Sequence, residues 1–240
     1  IGGGAAGMMA AIAAAGAGHK VCIYEKNEKL GKKIYITGKG RCNVTNACDT
    51  EELFQNVVHN AKFLYSSFYA FTNTDIMDLI EKHGCPLKTE RGNRVFPVSD
   101  KSSDVIHALT AALRKLGVEM ELHEEVADVL AEDGHVTGVR LKRGQKVVFA
   151  DAVIVTTGGL SYPSTGSTGD GYRFAKELGH TITDLSPALV PFVAKEDVCK
   201  ELQGLSLRNI SVQIRNGKKV LYEEFGEMLF THFGISGPLT

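Results

Sequence analysis

The 240-residue sequence has few cysteines, and their number and spacing argue against both a disulfide-bonded scaffold and a zinc-bound one. The five cysteines are an odd number, with no C-x-x-C pair and no histidine at the spacing of a zinc site. Neither a disulfide framework nor a bound metal is therefore expected. We interpret the cysteines as reduced thiols, which indicates a cytoplasmic protein.

The sequence also lacks an excess of charge of either sign. Lys and Arg total 27 against 28 Asp and Glu, a formal net charge of −1 with neutral histidines, and no basic block large enough to cover a face stands out. A nucleic acid or an anionic membrane normally requires a basic surface. We therefore expect neither as a partner.

Long apolar segments are also absent. Residues 1–18 carry no charge, but they are mostly Ala and Gly and have no basic flank before them. A bilayer span needs about 20 strongly apolar residues, so this run is not expected to cross a membrane. No signal peptide, repeat or low-complexity tract is visible in the sequence.

A glycine-rich turn at the start of the sequence is the strongest signal present. Gly2, Gly4 and Gly7 follow the pattern G-x-G-x-x-G, an Ala-rich helix comes next, and a second strand delivers Glu25. Such glycines permit a tight turn, close approach of the backbone to a pyrophosphate, and close packing of helix on strand. The helix N-terminus attracts the phosphates, and the carboxylate accepts hydrogen bonds from ribose while repelling a 2′-phosphate. The sequence predicts a dinucleotide site that disfavours NADP, against the alternative of an ordinary Gly/Ala-rich helix start.

The segment after the acid, residues 33–46, has the composition of a loop that wraps a ligand. Backbone N–H groups beside Gly38 and Gly40 can form an anion-binding nest, and Arg41, Asn43 and Thr45 offer polar contacts. A solvated surface loop is the alternative. Because a bare NAD fold does not need such a loop, the site is expected to bind FAD rather than NAD.

The remaining pattern predicts an α/β domain followed by a β-rich one. Helices are expected in residues 51–71, at 75–83 after a cap by Thr72 or Asn73, and at 104–116 after a cap by Ser102 or Ser103. A further helix is expected from the turn at 168–172 to residue 178, with Asp170 or Thr168 as its cap. Strands are expected at 118–122, in a meander from Val126 and in a buried parallel strand at 151–156. Further strands are expected at 189–194, 207–215, 219–224 and 227–230, with a hairpin turn at Asn216. We place an FAD-binding Rossmann-type domain at 1–186 and the start of an inserted β-rich domain at 187–240.

The two ends of the sequence suggest a segment of a longer protein. It begins without Met at the last residue of the predicted first strand, and it stops without a closing element. We therefore expect a fragment, because a Rossmann sheet without its first strand would lose its centre.

Four motifs carry a resemblance to a known family. They are TGKGRCNVTN at 37–46, GNRVFP at 92–97, GSTGDGY at 166–172 and THFGISGP at 231–238. In this order, and together with the glycine turn, they resemble the BaiN-like or aminoacetone-oxidase-like NAD(P)/FAD-dependent oxidoreductases, which are Rossmann flavoproteins of the glutathione-reductase type. The resemblance runs the length of the chain.

The resemblance implies FAD in an extended form. Its ADP half would lie at the glycine turn and Glu25, residues 33–46 would pass along the pyrophosphate, ribityl chain and flavin, and Val126 would meet the adenine through its backbone. The cofactor contacts implied in this way are Gly2, Gly4, Ala5, Ala6, Gly7, Glu25, Lys26, Lys33, Gly38, Gly40, Arg41, Asn43, Thr45, Val126, Thr157 and Gly158. NAD(P)H would serve as a transient electron donor and a small molecule as the substrate.

Two catalytic candidates remain. Cys42 is expected near the flavin with a lowered thiol pKa, because Arg41 and a helix start adjoin it; a small buried packing residue is the alternative. His232 lies in a glycine-rich motif of the β-rich domain. By similarity to fumarate-reductase-type flavoproteins, this domain would cap a substrate cleft, and His232 would transfer a proton there. The alternative is a histidine that bonds loop backbone.

Three functional hypotheses are open. The first is an FAD-dependent oxidoreductase, and the second is a nucleotide-binding module without turnover, which the fold alone does not exclude. A flavin-based tRNA-modifying role is disfavoured by the near-neutral charge.

Overall fold

The computed structural model describes residues 1–187 and 190–237. The α-helices in this part of the chain are α1 (Ala5–Gly16), α2 (Thr50–Gln55), α3 (Tyr65–Ala70), α4 (Asn73–Lys82), α5 (Ser102–Lys115), α6 (Asp170–Glu177) and α7 (Val198–Glu201). The strands are β1 (Cys22–Glu25), β2 (Thr45–Asn46), β3 (Leu87–Glu90), β4 (Arg94–Pro97), β5 (Glu119–Leu122), β6 (Val126–Glu132), β7 (His135–Leu141), β8 (Val147–Phe149), β9 (Phe192–Val193), β10 (Ser206–Asn216), β11 (Lys219–Thr231) and β12 (Gly234–Ser236). The chain divides into two compact units, Ile1–Ile182 and Thr183–Thr240.

The first unit contains the parallel part of the fold. Strands β1 and β5 pair in parallel, with Ile23 opposite Met120, and the long connection between them carries α2 to α5. On the other side of β1, the Gly2 N–H donates to Tyr24 O at 2.8 Å. The start of the chain therefore lies beside β1 in the position of a first Rossmann strand.

The predicted buried strand at 151–156 is only partly realised. Thr156 N–H donates to Ile1 O at 2.9 Å and the Ile1 nitrogen donates to Ile154 O at 2.7 Å, but the segment joins no sheet ladder among the described residues. Ile154 keeps 52% of its surface exposed.

The meander predicted from Val126 forms as β6, β7 and β8, paired antiparallel in that order. Its first turn lies at Asp133 and Gly134, both with positive φ. A small core of Val126, Val139, Leu141 and Phe174 joins this meander to α6.

The N-terminus of α4 agrees with the sequence expectation, whereas that of α5 does not. Thr72 caps α4 in a capping box with Asp75, as Thr or Asn at this point predicts. The caps expected from Ser102 or Ser103 do not form, because α5 already begins at Ser102 and no side chain caps it. Residues 51–71 form two short helices, α2 and α3, with a 3₁₀ turn at Ala61–Leu64 between them.

The main core of the first unit packs α1 and α5 together with β1. Gly-rich and Ala-rich positions of α1 let it approach the sheet closely, and the apolar face of α5 covers the same region. The buried members are Met8, Ala11, Ile23, Leu30, Ile34, Cys42, Ile80, Cys85, Val105, Ile106, Ala108, Leu109, Leu113 and Val118.

The second unit is an antiparallel sheet in the order β10, β11, β12, β9. The predicted hairpin between β10 and β11 forms, but its turn lies one residue later than expected: Asn216 pairs with Lys219, and Gly217 and Lys218 make the turn. The two strands expected at 219–224 and 227–230 are one continuous strand, β11. The strand expected at 189–194 begins at Leu189, outside the described residues, and within them only β9 is paired. The interpretation of this unit as an inserted domain stays a prediction.

Candidate cofactor-binding site

The glycine turn forms the floor of the site. Gly2 has φ +96°, and a side chain there would place its Cβ 2.7 Å from Thr156 O, so only glycine fits. Gly4 precedes α1 in an extended conformation, and its Cβ would meet nothing within 4 Å. Within the described residues no side chain caps α1, and its first turn carries no acid. Its backbone N–H groups and the positive end of its dipole are therefore available to an anion.

Gly7 holds this helix start against the turn. A Cβ at Gly7 would overlap Gly2 O and lie 2.7 Å from Thr156 Oγ1. The Thr156 hydroxyl lies 2.8 Å from Ile1 O and 3.0 Å from Gly2 O, and donates to these carbonyls. Thr156 thus fixes the turn from the neighbouring segment.

Glu25, the predicted ribose acceptor, is buried at the end of β1 with 7% of its surface exposed. One carboxylate oxygen accepts from Gly3 N–H at 2.6 Å. The other accepts from the Asn27 N–H at 2.8 Å and from Asn27 Nδ2 at 2.6 Å. A carboxylate offers about four acceptor positions, so one remains for a ligand hydroxyl.

Two lysines reach from the segment after β1 to residues 161–169, which we call the 161–169 loop. Lys33 Nζ donates to Ser161 O at 2.8 Å and to Ser167 Oγ at 2.7 Å. Lys26 Nζ lies 2.7 Å from Asp170 Oδ2, at the start of α6. Lys33 is therefore held by neutral oxygens, whereas Lys26 has a carboxylate partner.

Asp170 is held in its charged form by this arrangement. Burial opposes its ionisation, but the hydrogen bonds from Lys26 and Thr168 outweigh burial and lower its pKa. The sequence suggested Asp170 or Thr168 as the cap of α6. The cap position is instead Gly169, and Asp170 turns its side chain to Lys26.

These elements enclose a cavity of about 370 Å³. The predicted cofactor residues that line it are Gly2, Gly4, Ala5, Ala6, Glu25, Lys26, Lys33, Val126, Thr157 and Gly158. Thr157 Oγ1 is buried, and among the described residues it finds no hydrogen-bond partner. A buried hydroxyl without a partner is costly, so a ligand that supplies one would be stabilised here.

Arg41 is placed differently from the residues that line the cavity. Its guanidinium donates to Glu90 and, at 2.7 Å, to Asp100 Oδ1, and it stacks over the Phe96 ring at 4.1 Å. The hydrogen bonds from Lys88 and Arg41 lower the pKa of Asp100. Arg41 therefore bonds to protein carboxylates that neutralise its charge, and it does not line the cavity.

The other members of the 37–46 motif pack on β4. Gly38 has φ +55°, and its Cβ would lie 2.7 Å from Asn43 N. In the amide orientation that satisfies both partners, Asn43 donates to Thr45 O at 3.0 Å and Val95 O at 3.2 Å. Thr45 pairs with Val95 in the β2–β4 ladder. Gly38, Gly40, Asn43 and Thr45 are thus grouped apart from the residues that line the cavity.

The two catalytic candidates have contrasting surroundings. Cys42 is buried, and this burial raises its thiol pKa despite a hydrogen bond with Thr37, so the lowered pKa predicted from Arg41 is wrong. The cause is that the Arg41 charge is turned to Glu90 and Asp100. His232 is exposed in the turn between β11 and β12, with its ring edge-on to Phe233 at 4.8 Å.

Sequence reasoning missed Asn27, Thr156 and Ser167, which hold the site together. Asn27 and Thr156 bond the residues that were predicted, and Ser167 is buried and bonded to Lys33. No local pattern marks them, because each acts on a partner far away in sequence or through a side-chain direction that composition does not encode.

Between residues 1 and 187 and between 190 and 237, no helix is both long enough and apolar enough for a bilayer. Over the same ranges, no three His, Cys, Asp or Glu side chains come together as a metal site.

Comparison with known proteins identifies relatives along the whole chain. A family model described as "HI0933-like protein Rossmann domain" matches residues 1–236. The chain is 35% identical over 240 residues to the 3-dehydro-bile acid delta(4,6)-reductase of Clostridium scindens (strain ATCC 35704 / DSM 5676 / VPI 13733 / 19). It is 32% identical over 238 residues to the ribosomal RNA dihydrouridine synthase of Escherichia coli (strain K12). Both alignments cover 99% of this chain, which spans 57% and 58% of the respective relatives.

The fold also has solved counterparts. An open conformation of a flavocytochrome c3 fumarate reductase superposes with a TM-score of 0.59 at 22% identity, over 87% of this chain and 46% of that one. At that identity the likeness concerns the fold alone. The family match and this superposition confirm the family resemblance and the Rossmann-type α/β class predicted from the motifs.

Proposed function

The chain belongs to the HI0933-like Rossmann-domain family, and on that premise we propose that it is an FAD-dependent oxidoreductase. The observation that supports this most directly is the cavity itself. It brings the uncapped start of α1, the buried Glu25 carboxylate and the Lys33 ammonium to one place. These are the groups that a dinucleotide's phosphates and ribose need.

The residues present fit FAD. The N–H groups at Ala5 and Ala6 and the Lys33 ammonium would hold the pyrophosphate, and Glu25 has one acceptor position left for a ribose hydroxyl. Val126, at the start of β6, would meet the adenine through its backbone, and Thr157 would gain a hydrogen-bond partner. The family resemblance implies that further residues of the 33–46 segment would pass along the cofactor beyond this cavity, with Arg41 held aside by Glu90 and Asp100.

Bound FAD supplies hydride and single-electron transfer, and the protein's share is binding and orientation. In this chain the 161–169 loop, tied down by Lys26 and Lys33, would exclude water from the cofactor on one side. Cys42 is buried with a raised pKa, so it acts as a packing residue rather than as a thiolate at neutral pH. His232 remains a candidate for proton transfer.

Two substrate classes follow from the names of the relatives. One relative is named as a bile acid reductase, which favours a small organic substrate reduced with electrons from NADH or NADPH. Another is named as a ribosomal RNA dihydrouridine synthase, which favours reduction of a base in ribosomal RNA. The expectation against nucleic acid rested on net charge alone, so RNA returns as the second candidate. A nucleotide-binding module without turnover is the remaining alternative.

The deciding experiment uses the purified full-length protein. An absorbance band of oxidised flavin at about 450 nm is expected after FAD addition, and anaerobic NADH or NADPH should bleach it. A protein that takes up no FAD would refute the proposal. Flavin that no donor reduces would favour the binding module.

The substrate classes are then separated with the reduced protein. Reoxidation of the flavin by unmodified ribosomal RNA, with gain of dihydrouridine, would support the RNA candidate. Reoxidation by an unsaturated ketone, with RNA inert, would support the small-molecule candidate.

A further inference from the structure

Resting on the FAD site proposed above, we infer that Asn27 is a positioning residue of that site. It would orient the Glu25 carboxylate for the ribose and tie that carboxylate to the 161–169 loop.

Asn27 holds the Glu25 carboxylate through both its main chain and its side chain. The backbone N–H and the side-chain Nδ2 of Asn27 both donate to the same carboxylate oxygen, at 2.8 and 2.6 Å. The second oxygen is held by Gly3 N–H at 2.6 Å. A buried carboxylate bound by three donors has one orientation, and its remaining acceptor position is directed by those donors.

The Asn27 side chain also bonds to the 161–169 loop. Asn27 Nδ2 donates its other hydrogen to Thr165 O at 3.2 Å, and its Oδ1 accepts from Lys32 Nζ at 3.3 Å. Gly166 lies so close that a Cβ there would be 2.6 Å from Asn27 Nδ2. Both amide hydrogens and the amide oxygen are thus used, which leaves a single side-chain orientation.

The main chain around Asn27 is anchored separately. His123 N–H donates to Asn27 O at 3.0 Å, and Glu124 N–H donates to Glu25 O at 3.0 Å, so the segment after β5 fixes the main chain on both sides of Lys26. A change confined to the Asn27 side chain should therefore leave this backbone in place. That makes side-chain substitution an informative test.

Two substitutions separate positioning from packing. Asn27→Ala removes all three side-chain bonds and should weaken FAD binding about tenfold, because Glu25 and Thr165 each lose a donor. Asn27→Asp keeps the size and the backbone N–H but sets a carboxylate against Glu25. The charged groups bonded to it are Glu25 and Lys32, and the Lys26 side chain lies with it beside Gly166, with its ammonium on Asp170.

The Asn27→Asp variant has a readout that packing would not produce. Two carboxylates at hydrogen-bond distance share one proton, so FAD affinity should increase as the pH falls from 8.5 to 5.5, by about tenfold or more. The parent protein should show less than a threefold change over the same range. The same substitution at Asn216, exposed at the end of β10, is the matched control and should behave as the parent does.

FAD fluorescence quenching measures the affinity, and melting without FAD checks folding. Parent and control binding FAD while both Asn27 variants bind it equally well, with no pH slope, overturns the inference and leaves the proposed function standing. A parent that binds no FAD refutes the proposed function instead. If Asn27→Asp does not fold, Asn27→Ala decides: FAD affinity within about twofold of the parent overturns the inference.

Discussion

Replacing Gly7 with Ala should damage the fold and the cofactor site together, although Ala is the better helix former. At Gly7 a methyl group would overlap Gly2 O and lie 3.0 Å from the Gly2 carbonyl carbon. Both are backbone atoms of a turn that Thr156 holds, so they cannot rotate away as a side chain would. The start of α1 must therefore move away from the sheet.

The magnitude follows from two opposing effects. Ala in place of Gly in a helix stabilises by up to about 1 kcal/mol. Forcing an extra methyl group into close packing costs about 1–3 kcal/mol, and more where backbone has to move. Gly7→Ala should therefore lower the free energy of unfolding by about 1–2 kcal/mol.

Gly16, in the same helix, is the matched control. A Cβ at Gly16 would meet nothing within 4 Å, so Gly16→Ala should be neutral or stabilising. Urea unfolding followed by circular dichroism gives the two free energies, and FAD titration gives the affinities. Gly7→Ala should also bind FAD at least about tenfold more weakly, because the N–H groups at the helix start are displaced. Equal stability and equal FAD affinity of the two variants would refute the reasoning.

Burial raises the pKa of the Cys85 thiol to about 11 from an ordinary 9.0, so its contribution to stability is complete below pH 9.0 and is lost as the pH rises through about 11. Urea unfolding across that range should show the loss, and Cys85→Ala should reduce it; an identical pH dependence in the variant would contradict this. Arg41→Met should lower the melting temperature through its lost contacts with Glu90 and Phe96, while FAD affinity stays within about threefold of the parent; a larger loss of affinity would return Arg41 to the cofactor site. If His232 transfers a proton, His232→Gln should lower turnover by roughly 10²- to 10⁴-fold with FAD affinity unchanged, and undiminished turnover would remove it from the mechanism.

The sequence by itself determined the part of the site that is local in the chain. Gly2, Gly4 and Gly7 prescribe a strand-to-helix turn, and the distance to Glu25 is set by one helix and one strand. The turn, the helix, the strand and Glu25 all lie within about 25 residues of one another, where backbone conformation follows from residue type. The same holds for the cap of α4 by Thr72 and for the hairpin that turns just after Asn216, both of which follow from local sequence.

The tertiary structure decided which basic residues face the cavity. Lys33 and Arg41 stand in the same glycine-rich segment and are equivalent by composition. Lys33 meets neutral oxygens of the 161–169 loop, whereas Arg41 meets Glu90 and Asp100. These partners come from segments that are distant in sequence, so no local pattern distinguishes the two cations.

The structure also decided the chemistry of Cys42 and the role of Asn27. Proximity to Arg41 in the sequence predicted a lowered thiol pKa, but burial raises it, and the Arg41 guanidinium is bonded to Glu90 and Asp100 instead. Asn27 carries no motif, yet its amide bonds both Glu25 and Thr165, which lies 138 residues after Asn27 in the chain. Residue type sets what a side chain can donate, accept or neutralise, whereas its partner depends on which distant segments the fold brings within hydrogen-bond distance.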